Sequence, residues 1–128
     1  MGMSRYRILA NVAVSDIDRA REFYEGKLRL EVAAVTGDGG ITYDCGEGTS
    51  LHIYSSPDNA GLSSATQVGW ITPDINEAVA ELAAEGVEFE QYDTEAIKTD
   101  ERGIATIGDA RSAWFRDPDG NILGVITG

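Results

Sequence analysis

Cysteine is nearly absent. Cys45 stands alone among 128 residues, so no internal disulfide can form, which fits a reducing compartment. As a nucleophile Cys45 would need a partner base. The only histidine is His52, and its position relative to Cys45 is not readable from spacing. Burial as a small apolar residue is the expected fate of Cys45. Basic residues are also scarce: 10 Lys and Arg face 22 Asp and Glu, for a net charge of −12. That balance excludes the usual means of gripping nucleic acid or an anionic membrane, because both rest on cations that neutralise phosphates. A cationic ligand stays open. No apolar run approaches the roughly 18 residues that cross a bilayer, and no charged-then-apolar leader opens the chain. The expectation is a cytoplasmic protein with no membrane or nucleic-acid partner. The polar opening MGMSRYR is expected to fray.

What is present suffices for one folded domain. Hydrophobic residues make up 42% of the chain, enough for a real core. YRILANVAV, from Tyr6 to Val14, is apolar and β-branched and predicts a strand. SDIDRAREFYEGK follows as a helix, with Ser15 and Asp18 spaced as a capping box. Strands are expected at Leu30–Val35, in ITYDC and in TSLHIYS. The first half therefore reads β-α-β-β-β. Residues 55–65 are small, polar and turn-rich, as in a linker.

The second half repeats the first. TQVGWIT predicts a strand, and PDINEAVAELAAEG a helix capped by Asp74 with Glu77 and ended by Gly86. VEFEQYD alternates as a strand should, and a polar loop is expected over residues 94–110. RSAWFR and NILGVIT close as a hairpin around DPDG. Asp16, Ile17 and Ala20 recur as Asp74, Ile75 and Ala78 at a constant offset of 58, the mark of an internal duplication. The expected fold is α+β: two tandem units, residues 6–54 and 66–127, whose sheets form an open, barrel-like cleft with helices outside. Such a cleft is the default ligand site.

VSDIDRAREFYEGKLRLEV and AWFRDPDGNILGV, set in this duplicated pattern, resemble the vicinal oxygen chelate superfamily of glyoxalase I, bleomycin-resistance proteins and extradiol dioxygenases. The resemblance spans residues 6–127. Arg29, in LRL, stands where the family usually has a glycine. Metal-dependent members of the family draw ligands from the first, fourth, fifth and eighth strands. By position these slots fall here on Leu9, His52, Gln67 and Gly124. Leu9 has no lone pair to offer and Gly124 no side chain, so a family-type metal centre is not expected, nor any other cofactor.

Strand alternation and the resemblance together nominate lining residues. Asn11 shares the face of Leu9 and Ala13. His52 and Tyr54 share a face on the fourth strand, and Gln67 lies on the fifth. Trp114 corresponds to an aromatic in the glyoxalase I pocket. Tyr43 and Tyr92 join them on faces that alternation does not fix. Trp70 is expected on the opposite face to Gln67. Such a surface suits a small, partly aromatic molecule. His52 is the only catalytic candidate, because a tyrosine with the ordinary pKa near 10 is a poor acid. Asp117 and Asp119 belong to turn chemistry. Three readings follow: a metal-free binding protein, a lyase, isomerase or dioxygenase-type enzyme with an atypical metal site or His52 acid–base chemistry, and an interaction module. The resemblance also implies a homodimer.

Overall fold

The computed structural model describes residues 2–127. The chain divides into two compact units that meet in sequence at Gly61 and Leu62. The first opens with a 3-10 turn at Gly2–Arg5, where fraying was expected. It continues with β1 (Leu9–Val14), α1 (Ile17–Arg21), a π-helical turn (Glu22–Lys27), β2 (Glu31–Val35), β3 (Ile41–Asp44) and β4 (Ser50–Ser55). The second contains β5 (Thr66–Ile71), α2 (Ile75–Ala84), β6 (Ile104–Ile107), β7 (Ala110–Arg116) and β8 (Ile122–Thr127). The sheet orders are β1-β4-β3-β2 and β5-β8-β7-β6. In both, the first and last strands run parallel and the other pairs antiparallel. The fold is α+β with one topology built twice. Among the described residues, no helix is long and apolar enough to cross a membrane.

The duplication reaches down to the helix caps. Asp16 and Asp74 both adopt extended backbone and cap their helices, with φ of −140° and −144°. The Asp16 carboxylate accepts from Arg19 N at 3.1 Å, and Asp74 Oδ1 from Asn76 N at 3.0 Å and Glu77 N at 3.3 Å. Each satisfies amides that a helix start leaves without partners. The cap of α1 is thus Asp16 and not Ser15, whose Oγ instead accepts from Arg19 Nη2 at 2.9 Å.

After Arg21 the helix widens, and Leu28 N reaches Phe23 O at 3.0 Å. The wider turn allows two adjacent aromatics, Phe23 and Tyr24, to be buried together, their rings at right angles 5.2 Å apart. The chain leaves this turn at Arg29, with φ of 59°. The tight exit forms without the family's glycine, at the steric cost of a Cβ in left-handed backbone.

One strand lies elsewhere than the sequence pattern predicts. Residues 87–93 form no strand, and β6 arises inside the span expected to be a loop. Both segments use the same edge of β7. Ile104–Ile107 pairs with its first half, from Ala110 to Ala113, while Phe89 bridges Phe115 and Glu90 N donates to Trp114 O at 2.8 Å. Residues 87–93 are thus held beside β7 by a single bridge beyond the end of β6.

Each sheet buries one face against its helix. In the first unit Val12, Val14, Ile41, Tyr43, Leu51 and Ile53 are buried with Ala20, Phe23 and Tyr24. In the second, Ala113, Phe115, Leu123 and Val125 are buried with Ile75 and Val79. Trp70 stacks on Phe115 at 6.4 Å, on the helix side as alternation predicts.

Candidate functional site

The faces turned away from the helices carry the chemistry. In the first unit, Leu9, Asn11 and Ala13 lie in register with Ser50, His52 and Tyr54, so the parallel pair β1–β4 presents all six on one side. Thr42 of β3 stands opposite His52 and joins this face. Thr42 Oγ1 and His52 Nδ1 share a hydrogen bond of 2.9 Å, which orients the ring and leaves Nε2 as its remaining polar edge. The His52 and Tyr54 rings are nearly parallel, 7° apart in plane, with centroids 6.3 Å apart. Asn11 Nδ2 donates to Leu9 O at 3.3 Å. Asn11, His52 and Tyr54 are therefore brought together.

Tyr43 is not. It points to the helix side, fully buried, where its ring stacks on Tyr24 at 6.2 Å and its hydroxyl donates to Glu25 Oε2 at 2.8 Å. Burial, and then the hydrogen bond to the Glu25 carboxylate, push the phenol well above its ordinary pKa. Glu25 in turn takes both ends of the Arg21 guanidinium, at 2.6 and 3.3 Å, and the arginine holds its carboxyl below the usual range. Tyr43 is a core residue in a polar network, and alternation with Thr42 is the reason.

The sequence reading missed the hairpin that closes over His52. A Cβ on Gly40 would lie 2.7 Å from His52 Cε1 and 2.8 Å from Nε2, so only glycine lets this backbone approach the imidazole. Asp38 shapes the loop. It accepts from the Thr36 hydroxyl and from Gly40 N, and those two bonds, with a smaller contribution from the nearby His52, hold its carboxyl below the usual range. The run TGDGG was legible as a turn, but its contact with His52 was not.

In the second unit, Gly124 of β8 pairs with Trp114 of β7 and with Gly69 of β5. The Trp114 indole lies over Gly124. A Cβ there would sit 3.3 Å from Trp114 Cδ1 and 3.3 Å from Ala113 O. Tyr92 meets the indole edge to face, centroids 5.6 Å apart. Tyr92 and Trp114 thus form one aromatic pair. Gln67 falls at a β-bulge in β5, exposed, its Nε2 donating to Ala65 O at 2.9 Å. Asp117 and Asp119 make the turn. The buried Asp117 carboxylate accepts from Asp119 N, Asn121 N and Asn121 Nδ2 at 3.0, 2.9 and 2.8 Å.

The donor set does not fit a family-type divalent centre. His52 is one strong ligand. Gln67 is a neutral amide, Leu9 is apolar, and an indole stands where a side chain from position 124 would project. Among the described residues, no group of three or more His, Cys, Asp and Glu side chains is disposed to hold a metal ion.

Residues 7–125 match the family model of the Glyoxalase/Bleomycin resistance protein/Dioxygenase superfamily. Among solved structures, the chain is similar to TnmS3, an antibiotic binding protein from Streptomyces sp. CB03234, with 26% identity, a TM-score of 0.70 and coverage of 99% of this chain and 98% of that one. It is also similar to a glyoxalase/bleomycin resistance protein from Catenulispora acidiphila, with 24% identity, a TM-score of 0.71 and coverage of 95% and 97%. A glyoxalase/bleomycin resistance protein from Streptomyces sp. CB03234 shares 26% identity at a TM-score of 0.65, over 94% and 98% of the two chains. No curated protein matches the chain. With the family model spanning nearly its whole length, the chain belongs to the Glyoxalase/Bleomycin resistance protein/Dioxygenase superfamily.

Proposed function

We propose that this protein binds a small, partly aromatic organic molecule without the help of a metal ion. The observation that carries the reading is the Trp114 indole over Gly124, at the position where metal-dependent relatives place a ligand. The eighth strand therefore offers stacking area and no charge to balance a cation's. His52 and Tyr54 supply a second aromatic surface with polar edges, and Thr42 fixes the imidazole. The likeness to an antibiotic binding protein at 26% identity agrees with sequestration of an organic molecule. The net charge of −12 favours ligands that carry a positive group.

The test is a thermal-shift screen of pure protein against planar aromatic cations and their neutral analogues, with each hit titrated by calorimetry. At least one cationic hit with a dissociation constant in the micromolar range is expected, weakened about tenfold by His52→Ala. A flat response across the panel would count against binding. Acid–base catalysis is the second reading, favoured by the hydrogen bond that fixes His52 Nδ1. Turnover of a bound compound that survives in His52→Ala would remove that role.

A further inference from the structure

Phe89 and Ile104 pair with neighbouring stretches of β7, at Phe115 and Ala113, and the chain between them loops out and folds back. Side chains hold the fold-back. Gln91 Oε1 accepts from Thr99 Oγ1 at 3.0 Å, and Gln91 Nε2 donates to Glu101 O at 3.4 Å. Asp100 Oδ1 accepts from Arg102 N at 2.8 Å and from Ile104 N at 3.0 Å. Gly103, with φ of 88°, brings the turn onto Phe89, where a Cβ would lie 2.6 Å from Phe89 Cβ. This wall is built in advance of any ligand, which lowers the ordering cost of binding.

Between the turn and α2 lies an open cleft of about 390 Å³. Its apolar lining is Val79, Ala80 and Ala83 of α2 with Val87 and Phe89. The Phe89 ring meets Phe115 edge to face at 5.8 Å, on the helix side of the sheet, so the cleft and the Trp114 indole lie on opposite faces.

The charge around the cleft is one-sided. Glu88 and Glu101 line it, and both are exposed. Arg102 lines it too, but its guanidinium pairs with Asp100 at 3.5 Å, and Arg111 donates to Asn76 Oδ1 at 3.3 Å. Among the described residues, no basic side chain pairs with Glu88 or Glu101. An apolar hollow edged by two unpaired carboxylates suits an apolar body that carries one ammonium group. A carboxylate ligand is repelled there, and a neutral one gains only the apolar contact. The size suits a compact molecule of roughly ten to twenty non-hydrogen atoms.

We propose that the cleft between α2 and the Glu101–Arg102 turn is a separate binding site, for a compact aliphatic or alicyclic amine. It stands independently of the ligand-binding reading above, which rests on Trp114 and His52.

The test titrates adamantylamine into isotope-labelled protein at low salt and follows backbone amide shifts, with adamantanol and adamantane carboxylate as the neutral and anionic counterparts. Saturable shifts are expected over residues 76–91 and 101–103. The amine should bind about fivefold more tightly than the alcohol, and the carboxylate should not bind. Glu88→Gln with Glu101→Gln should abolish the amine's advantage. Ala80→Leu with Ala83→Leu should weaken amine binding about tenfold and leave the melting temperature unchanged, because leucine is also a good helix former. Either single leucine variant keeps the test should the pair perturb α2. Absence of saturable shifts, shifts centred on His52 or Trp114, or full affinity in the leucine variants overturns the site. Equal affinity for all three compounds overturns its assignment to amines. Shifts of the same amides with protein concentration alone would show a second copy of the chain filling the cleft, and overturn the proposal as well.

Discussion

Placing a carboxylate at the eighth-strand position, by Gly124→Glu, is expected to damage the fold. A Cβ at residue 124 already lies 3.3 Å from Trp114 Cδ1 and 3.3 Å from Ala113 O, closer than side chains normally pack. The carbonyl belongs to a strand paired on both sides and cannot yield. The indole must yield instead. Forcing extra atoms into a packed position costs about 1–3 kcal/mol. Displacing Trp114 also breaks its edge-to-face pair with Tyr92, worth about 0.5–1.5 kcal/mol. The sum is a loss of about 2–4 kcal/mol, or roughly 6–15 °C in Tm for a chain of this size. Gly124→Ala separates the two components. Its methyl meets the same atoms but gains strand stability over glycine, so a change within about 1 kcal/mol is expected. Urea denaturation gives the energies, and near-UV circular dichroism reads the Trp114 environment, with Trp114→Phe as the reference. A glutamate variant as stable as wild type, with an unchanged tryptophan band, would show that the indole does not occupy this position.

Further outcomes follow from the same structure. Asp117→Ala removes three hydrogen bonds from a buried carboxylate and should cost about 2–4 kcal/mol by urea denaturation. Arg29→Gly relieves the left-handed backbone at φ 59° and should stabilise the protein by about 0.5–1 kcal/mol, read the same way. The Glu25 carboxyl is held below its ordinary value by Arg21 and Tyr43, so the stability it contributes is complete above about pH 4.5 and fades as the pH falls further. Denaturation midpoints measured from pH 6 down to pH 3 should fall less steeply in Glu25→Gln than in wild type.

The repeat was legible in the sequence because helix starts are written locally. Asp16 and Asp74 stand at an offset of 58, and each caps its helix. The same offset also discriminates between Ser15 and Asp16 as the cap, which the capping-box spacing alone does not. Face assignment on β1 and β4 needed only alternation, and Asn11, His52 and Tyr54 fall together accordingly. Tyr43 shows the limit of composition: a tyrosine suits a binding surface as well as a core, and the register of β3 against β4 decides. The sixth strand was misplaced because residues 87–93 and Ile104–Ile107 take successive stretches of one edge of β7, and periodicity carries no information about which of them pairs as a strand. The indole above Gly124 was hidden for a similar reason. A missing side chain is visible in sequence, but not the neighbour that fills its space.

Metal content tests the functional reading most directly. The protein should be purified without chelators or an affinity tag that binds metals, dialysed against zinc, nickel or manganese, and analysed for bound ions by mass spectrometry. Far less than one equivalent of any of them is expected to remain, with the affinity for planar aromatic cations unchanged by the treatment. One tightly held divalent ion per chain, lost together with ligand binding in His52→Ala, would contradict the metal-free reading.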